Sequence, residues 1–345
     1  MKKLLFVFLF LCSLLYAQNI DREKLNREIK NEIKDSYACS VEVYLKGSQV
    51  FNAHYGHADK EGRIAIDSSH LFNVASISKT ITALGIMQLY EKGKLDFEDQ
   101  LDKYFENIPA DKAEISLRQL LTHTSGFKQS YAADRVTDRE KALEKLLSLP
   151  LAYQPGESWS YSNVNYQLLA MIVELVSQES YETFIRKNIF EKAGMSQSRF
   201  WGEFEEGEYA KVASTLERLS KKTLRRNWGY IGSNGIYSTA SDLSKLMLAY
   251  LKFELLSESS SQYMLNQKVK IREGLETAFA WFISTHDDGE EEIWTRGSES
   301  WGHNAVVSFF PKEDLMIVVC SNSGEEISAN RKIRELVWTE FKGKD

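Results

Sequence analysis

The sequence is poor in proline and glycine, with four prolines and 19 glycines in 345 residues, which excludes a collagen-like or low-complexity chain. It also lacks a basic excess: 43 basic and 49 acidic residues leave a formal net charge of -6. Binding to a phosphate backbone is therefore excluded as the main task, because such surfaces are usually strongly basic. The apolar fraction of 43% and the charged fraction of 27% are typical of a globular protein with a large core.

Long apolar runs are absent except at the N-terminus. Residues 1–17 (MKKLLFVFLFLCSLLYA) place two lysines before an apolar run that ends at the small residue Ala17. This layout predicts a secretory signal peptide that is cleaved after Ala17, since the run is shorter than the about 20 residues of a spanning helix. A lipid anchor through Cys12 is the weaker alternative, because Leu11 stands where such sites need a small residue. We expect a periplasmic or secreted chain with no stable membrane span.

Strand patterns stand at both ends of the sequence, and helical patterns fill the middle. The predicted strands are 39–46, 50–55, 278–285, 293–295, 305–311 and 315–321. The predicted helices are 19–36, 76–92, 116–122, 138–148, 163–178, 181–194, 240–252 and 326–341. This order predicts an α+β fold in which the first and last segments share one antiparallel sheet flanked by helices. Residues 18–345 would form one domain with a mostly helical insert at about 90–230.

The first candidate motif is Ser76-Ile77-Ser78-Lys79, which opens an apolar helix and places Lys79 one turn after Ser76 on the same face. A serine hydroxyl becomes nucleophilic when a base removes its proton, and a lysine whose pKa is lowered by desolvation can be that base. The helix N-terminus also offers N–H donors to an oxyanion. The spacing alone is weak, because Ser125 and Lys128 repeat it. That pair opens no apolar helix, and we treat it as coincidental.

The second motif, Tyr161-Ser162-Asn163, follows the Pro155-Gly156 turn and precedes an apolar helix. It is the only Tyr-x-Asn in the chain. A phenol beside Lys79 can take or pass a proton, and the Asn163 amide can donate to a substrate carbonyl. Standing alone, the motif would instead be interpreted as a turn and a helix cap.

The third motif contains His303, which enters a strand followed by Asn304, Ala305 and Val306. Strand alternation places His303 and Ala305 on one face. A histidine there can carry a proton or bind a substrate carboxylate, and a structural role is the alternative for a lone histidine. The other five histidines show no metal-ligand spacing, and we expect no metal or cofactor.

In this order the motifs resemble those of the penicillin-recognising serine hydrolases. This superfamily contains class C β-lactamases, D-Ala-D-Ala carboxypeptidases, D-aminopeptidases and some esterases. Its proteins carry Ser-x-x-Lys, then Tyr-x-Asn, then Lys/His-x-Gly on a strand. Further stretches that resemble the family are FNVASISK (72–79), SLRQLLTHTSGF (116–127), PGESWSYSN (155–163), EKAGM (191–195) and GIYSTASDL (235–243). The resemblance covers about residues 37–325.

The resemblance implies a role for each motif. Ser76 would be the acylated nucleophile. Lys79 and Tyr161 would share the proton transfers, with the choice of base left open. The strand at 303–306 would bind the substrate edge-on, with the backbone N–H groups of Ser76 and Val306 forming the oxyanion hole. The resemblance implies the catalytic residues Ser76, Lys79, Tyr161 and His303, and the substrate-binding residues Asn163, Asn304, Ala305 and Val306. Residues 232–235 (GSNG) would also line the site, without an assigned role.

The chain departs from the family pattern in its third motif. His303 stands where β-lactamases have lysine, a histidine that carboxypeptidase-like and aminopeptidase-like members also carry. Ala305 replaces glycine, and a methyl group on the substrate-facing side of the strand would hinder efficient β-lactam turnover. The family's sheet order also places the first strand beside the last. It thus implies that Cys39 and Cys320 are near neighbours, with a disulfide as one hypothesis and two separate buried thiols as the other.

These observations predict a periplasmic or secreted serine hydrolase that acts through a Ser76 acyl-enzyme. Its substrate would be a small molecule or peptide with an amide or ester bond, such as a D-amino-acid peptide or a β-lactam. The alternatives within this scheme are an esterase and a protein that acylates but barely deacylates. The alternative of another class is a non-catalytic binding or sensor module on the same fold. The oligomeric state stays open.

Overall fold

The computed structural model describes residues 21–33, 37–59, 62–204, 226–299, 302–324, 326 and 328–342. The predicted signal peptide and Trp301 lie outside these ranges. The strands are β1 (Cys39–Leu45), β2 (Ser48–Tyr55), β3 (Phe72–Asn73), β4 (Arg199–Phe200), β5 (Ile236–Ser238), β6 (Lys268–Arg272), β7 (Leu275–Ala278), β8 (Trp281–Thr285), β9 (Glu291–Ser298), β10 (Asn304–Phe310) and β11 (Leu315–Ser321).

The helices begin close to the predicted positions. They are α1 (Arg22–Ile33), α2 (Ile77–Glu91), α3 (Ala110–Ala113), α4 (Leu117–Leu121), α5 (Arg139–Leu147), α6 (Asn163–Ser177), α7 (Tyr181–Ile185), α8 (Glu191–Ala193), α9 (Ala240–Leu251), α10 (Glu258–Asn266) and α11 (Ala329–Phe341). A 3-10 turn covers Leu101–Lys103, and a π-helical stretch, Arg186–Phe190, joins α7 to α8. Within the described ranges, no helix is long and apolar enough to cross a bilayer.

One antiparallel sheet organises the molecule, with strand order β2-β1-β11-β10-β9-β8-β7-β6. The first strand, β1, pairs with the last, β11, as the family resemblance implies, with Val41 opposite Val319. A small sheet of order β3-β5-β4 lies beside it. The α+β prediction is confirmed.

Each face of the large sheet packs against helices and forms its own core. On one face, α1 and α11 cover alternate residues such as Val43, Val306 and Ile317. On the other face, the helical body around α2 covers the intervening residues, among them Val307 and Val318. A strand buried on both faces needs apolar residues at successive positions, which explains the unbroken run LMIVVCS in β11.

Two parts of the sheet differ from the sequence prediction. The stretch predicted as one strand over 278–285 contains only the last residue of β7 and the whole of β8, because Phe279 and Ala280 adopt positive φ angles of 43° and 71° and break the extended backbone. The short strand predicted at 293–295 is β9, which continues to Ser298. The sequence prediction also omitted the helices α3 and α10, the strands β3 to β6 and most of β7.

Helix α2 runs through the centre of the helical body. Every residue from Ile77 to Leu89 is buried, including the polar ones. A helix surrounded by protein places any side chain on its first turn in a low-dielectric environment. The Lys79 side chain, on that turn, is therefore buried by the fold itself.

The two cysteines lie on adjacent strands but on opposite faces of the sheet. Cys39 is opposite Ser321, and Cys320 is opposite Ser40, so the pair is offset by one residue. Side chains alternate between faces, so Cys39 enters the core beneath α1 and α11 while Cys320 enters the core around α2. Both thiols are free and buried, and the disulfide hypothesis is wrong.

This arrangement gives a direct test with a thiol reagent. We expect two thiols per mature chain to react after denaturation without reductant, and none to react quickly in the folded protein, since burial raises the pKa of both cysteines. A fully reduced sample serves as the control and should give the same count. A count near zero in the unreduced, denatured protein would contradict the strand register.

Candidate active site

The nucleophile candidate, Ser76, lies at a strained entry to α2. The preceding residue, Ala75, has a φ of 45°, a left-handed conformation that costs a non-glycine residue energy. Its N–H donates to Asn73 Oδ1 (2.8 Å), which holds this turn in place. Ser76 is the N-cap residue of α2, yet its side chain makes no capping hydrogen bond. The hydroxyl is therefore available for chemistry, because it is not hydrogen-bonded to the N–H groups at the helix N-terminus.

The Ser76 hydroxyl lies between the two other predicted catalytic groups. Tyr161 donates its phenolic hydrogen bond to Ser76 Oγ (2.6 Å), and Lys79 Nζ lies 3.1 Å from the same oxygen. Lys79 Nζ is also 4.8 Å from the centroid of the Tyr161 ring. The structure thus brings Ser76, Lys79 and Tyr161 into one hydrogen-bonded group.

Lys79 is held in a buried, polar pocket beside the nucleophile. Its side chain is 2% exposed, and desolvation lowers its pKa well below the usual range, an effect that the charge of Glu299 opposes. Nζ donates to Ser233 O (2.8 Å) and to Asn234 Oδ1 (3.4 Å). The GSNG stretch therefore supplies two of the amine's neighbours.

The coincidental Ser-x-x-Lys pair has a different environment. Ser125 donates to Asn165 Oδ1 (2.6 Å) inside the core, whereas the Lys128 side chain is exposed. The two residues therefore share only the spacing of the first motif.

Tyr161 is fixed by His123, a residue to which the sequence analysis assigned no role. The two rings lie 4.6 Å apart between centroids, and His123 Nδ1 accepts from Ser162 N–H (3.2 Å), the residue after Tyr161. Burial lowers the pKa of His123 well below its usual range, so the ring is neutral and Nδ1 can accept. Burial also raises the pKa of Tyr161, which keeps the phenol protonated as a donor.

Asn163, the last residue of the second motif, begins α6 two residues after Tyr161. Its N–H donates to Gln129 Oε1 (2.7 Å). Its side-chain amide is buried and makes no hydrogen bond of normal geometry among the described residues, although the Tyr131 phenol is close by. A buried amide of this kind offers both a donor and an acceptor to a bound substrate.

The strand that approaches the nucleophile is β9, not β10 as predicted. Gly297 in β9 packs against the turn before α2 so closely that a Cβ atom there would lie 2.7 Å from Ser76 N and still closer to Val74 O. Only glycine permits this approach. Two residues earlier, Thr295 hydrogen-bonds Thr80 of α2 (2.8 Å between hydroxyl oxygens), which ties the strand to the helix.

The end of β9 that contacts the turn before Ser76 is unpaired on one side. Within the described residues β8 pairs with β9 only as far as Trp294, so residues 295–298 are paired on the β10 side alone. Glu299 and His303 exchange two backbone hydrogen bonds (2.7 and 3.1 Å). Because hydrogen-bonded and non-hydrogen-bonded pairs alternate in an antiparallel ladder, the Ser298 N–H points away from β10. This N–H therefore points to the open edge of β9, and the neighbouring Gly297 contacts the Ser76 backbone.

The same alternation corrects the prediction for Val306. Its N–H points towards β11, opposite Val319, inside the sheet, and its side chain lies in the core beneath α1 and α11. It therefore cannot donate to an oxyanion at Ser76. The prediction of edge-on binding by residues 303–306 is wrong for the same reason, since β10 is paired on both sides.

The other residues of the predicted third motif have structural contacts. His303 Nδ1 accepts from Asn73 N–H (2.6 Å), and its ring packs edge-on against Phe72, so it holds the backbone ahead of Ser76. Asn304 Nδ2 donates to Gly324 O (2.9 Å) on the opposite face. Ala305 is opposite Gly297, one strand further from the nucleophile. We correct His303 from a catalytic to a positioning residue and remove Asn304 and Ala305 from the substrate-binding set.

Sequence analysis missed Gly297, Ser298, Glu299 and His123. The sequence does contain a signal for Gly297, since Thr295-Arg296-Gly297 ends in glycine as the third family motif does. The stretch is hard to recognise because its first residue is threonine rather than the lysine or histidine of the family motif. Nothing in the sequence pattern marks Glu299, whose placement depends on the turn between β9 and β10.

A serine at a helix start, held between a buried amine and a phenol beside an open strand edge, is an arrangement typical of serine acyl-transfer enzymes. The β-lactamase family model matches residues 29–339. The chain belongs to the β-lactamase family.

Individual relatives agree with this assignment. The chain is 31% identical over 255 residues to the putative penicillin-binding protein PbpX of Bacillus subtilis (strain 168), covering 72% of this chain and 63% of that protein. It thus spans less than two thirds of that relative's length. The penicillin-binding protein from Bacillus halodurans is 25% identical, with a TM-score of 0.77 over 90% of this chain and 98% of that one. The octameric penicillin-binding protein homologue from Pyrococcus abyssi shares the fold (24% identity, TM-score 0.79, 94% and 79% covered).

Proposed function

We propose that this protein is a serine hydrolase that acts on an amide or ester through an acyl-enzyme at Ser76. The observation that carries the proposal is the contact of one hydroxyl with both Tyr161 (2.6 Å) and Lys79 (3.1 Å) at the start of a buried helix. A binding or sensor module would have no need for a buried amine at this distance from a serine, because burying an amine is costly.

In this proposal Lys79 is the base and Tyr161 relays the proton. A neutral amine has a lone pair that can take the Ser76 proton as Oγ attacks the carbonyl carbon. The raised pKa of Tyr161 keeps its proton in place, so it is a donor and not the base at neutral pH. The phenol would then pass a proton to the leaving nitrogen or oxygen, and Lys79 would restore it.

The oxyanion hole in this proposal consists of the backbone N–H groups of Ser76 and Ser298. The packing of Gly297 against Ser76 N and the outward direction of the Ser298 N–H support this assignment. Asn163 would contact the substrate amide. The remaining open edge of β9 would pair with an extended substrate, as a peptide adds to the edge of a sheet.

The substrate class that we propose is a D-amino-acid peptide, amide or ester, or a β-lactam. The penicillin-binding relatives favour this class. We further propose that residues 1–17 direct the chain to the periplasm or outside the cell.

Intact mass tests the proposal most directly. The mature protein would be incubated with a penicillin and, separately, with an activated ester. We expect a covalent adduct in wild type that is absent in Ser76→Ala, with the location confirmed by peptide mapping. Adduct decay would then separate a hydrolase from a protein that stays acylated. A folded wild-type protein that forms no adduct with either reagent would overturn the acyl-enzyme proposal.

A further inference from the structure

A carboxylate lies two hydrogen bonds away from the proposed base. Lys79 Nζ donates to Asn234 Oδ1 (3.4 Å), and Asn234 Nδ2 donates to Glu299 Oε1 (2.6 Å). Glu299 is 6% exposed and Asn234 is 4% exposed, so these bonds are shielded from water. Neither residue belongs to the three motifs, and the mechanism above uses neither.

The chemistry of these groups fixes the orientation of the Asn234 amide. A carboxylate only accepts hydrogen bonds, so Glu299 must face the NH2 end of Asn234. The carbonyl end then faces Lys79 and can accept only. A neutral amine has two N–H donors and one lone pair. With Ser233 O and Asn234 Oδ1 taking the two donors, the lone pair is left towards Ser76 Oγ.

We propose that Glu299 is a positioning residue, which orients Asn234 so that the Lys79 lone pair faces the Ser76 hydroxyl. This inference rests on the proposed function and adds a residue that acts on the base without touching the substrate. Glu299 also stabilises the ammonium that forms when Lys79 accepts the serine proton, because the negative charge is close enough to raise the pKa of Lys79.

Other ionisable groups around this relay come from several elements. Among the described residues, the groups that interact electrostatically with Lys79 or Glu299 are Tyr161, His123, Tyr131, Tyr230 and Tyr237, and the Arg296 charge acts on Tyr161. Burial keeps His123 neutral and raises the pKa of Tyr161, Tyr230 and Tyr237. Glu299 is therefore the group whose charge acts on Lys79 through an oriented contact.

Titration of Lys79 by NMR tests the inference without depending on activity. Lysine labelled at the ε carbon would be followed across pH, with the Lys79 signal assigned from its loss in Lys79→Met. We expect Glu299→Gln to lower the Lys79 pKa by about one unit, and Asn234→Asp to raise it by about one unit or more. A Lys79 pKa unchanged in Glu299→Gln would overturn the proposal. Asn234→Ala breaks the contact to Glu299 without adding a charge, should also lower the Lys79 pKa, and keeps the test valid if Glu299→Gln does not fold.

A double-mutant comparison separates orientation from a direct field effect. We expect Glu299→Gln to slow acylation by an activated ester about 10-fold in wild type, but less than about 2-fold in an Asn234→Ala background. Equal losses in both backgrounds would overturn the relay. If wild type forms no adduct while the Lys79 titration shifts as stated, the proposed function fails and the relay stands.

Discussion

Lys79→Met is expected to slow acylation of Ser76 by about 10⁴-fold, the effect of removing a general base whose lone pair faces the nucleophile. Methionine is close to lysine in length and lacks the amine. Because Lys79 is almost fully buried, methionine also removes the cost of desolvating an amine. We expect thermal stability to stay equal or to rise, which separates loss of chemistry from loss of fold. The measurement is the rate of adduct formation beside a melting curve.

The chain supplies a matched control in its second Ser-x-x-Lys. Lys128 is exposed, and Lys128→Met should leave the acylation rate unchanged.

The pH dependence of the acylation rate is a separate test of Lys79 as the base. Since burial lowers the Lys79 pKa, wild type should keep its acylation rate at pH values below the usual lysine pKa and lose activity only as pH falls through that lowered pKa, where the amine becomes protonated. Acylation that required alkaline pH near the usual lysine pKa would contradict Lys79 as the base.

The first two motifs could be located from sequence because their geometry is local. Ser76 and Lys79 are one helical turn apart, and Tyr161 precedes a helix whose apolar pattern is clear. Helix periodicity fixes such neighbours without knowledge of the rest of the fold. The pairing of β1 with β11 was likewise predictable, although only through the family resemblance.

The third motif could not be located in this way, because it depends on which strand reaches the nucleophile. His303 and Gly297 are six residues apart. Gly297 lies near the end of β9, and His303 immediately precedes β10. A pattern matched to a histidine selects β10, whereas in the folded chain it is β9 that packs against α2. The deciding constraint is a contact between Gly297 and the Ser76 backbone, which joins residues over 200 positions apart. Periodicity carries no information about such contacts.

Gly297→Ala is expected to slow acylation by about 100- to 1000-fold, the cost typical of losing one oxyanion donor. The new methyl group would lie 2.7 Å from Ser76 N and closer still to Val74 O, and both are backbone atoms that cannot rotate away. β9 is tied on one side to β10 and through Thr295 to α2, so the turn at Ala75 and Ser76 must shift instead. The shift separates the Ser76 and Ser298 N–H groups, while a clash of this size lowers the free energy of unfolding by about 1–3 kcal/mol.

Two further variants decide between the two possible third motifs. Gly289→Ala is the control, because it adds the same methyl group at a position where no atom lies within 4 Å of the new Cβ. Its φ of 82° predicts a modest loss of stability with unchanged acylation. Ala305→Gly would speed acylation if the strand after His303 contacted the substrate. Because Ala305 lies behind Gly297 on a strand paired on both sides, we expect no gain. Faster acylation in Ala305→Gly, with normal rates in Gly297→Ala, would return the substrate edge to β10.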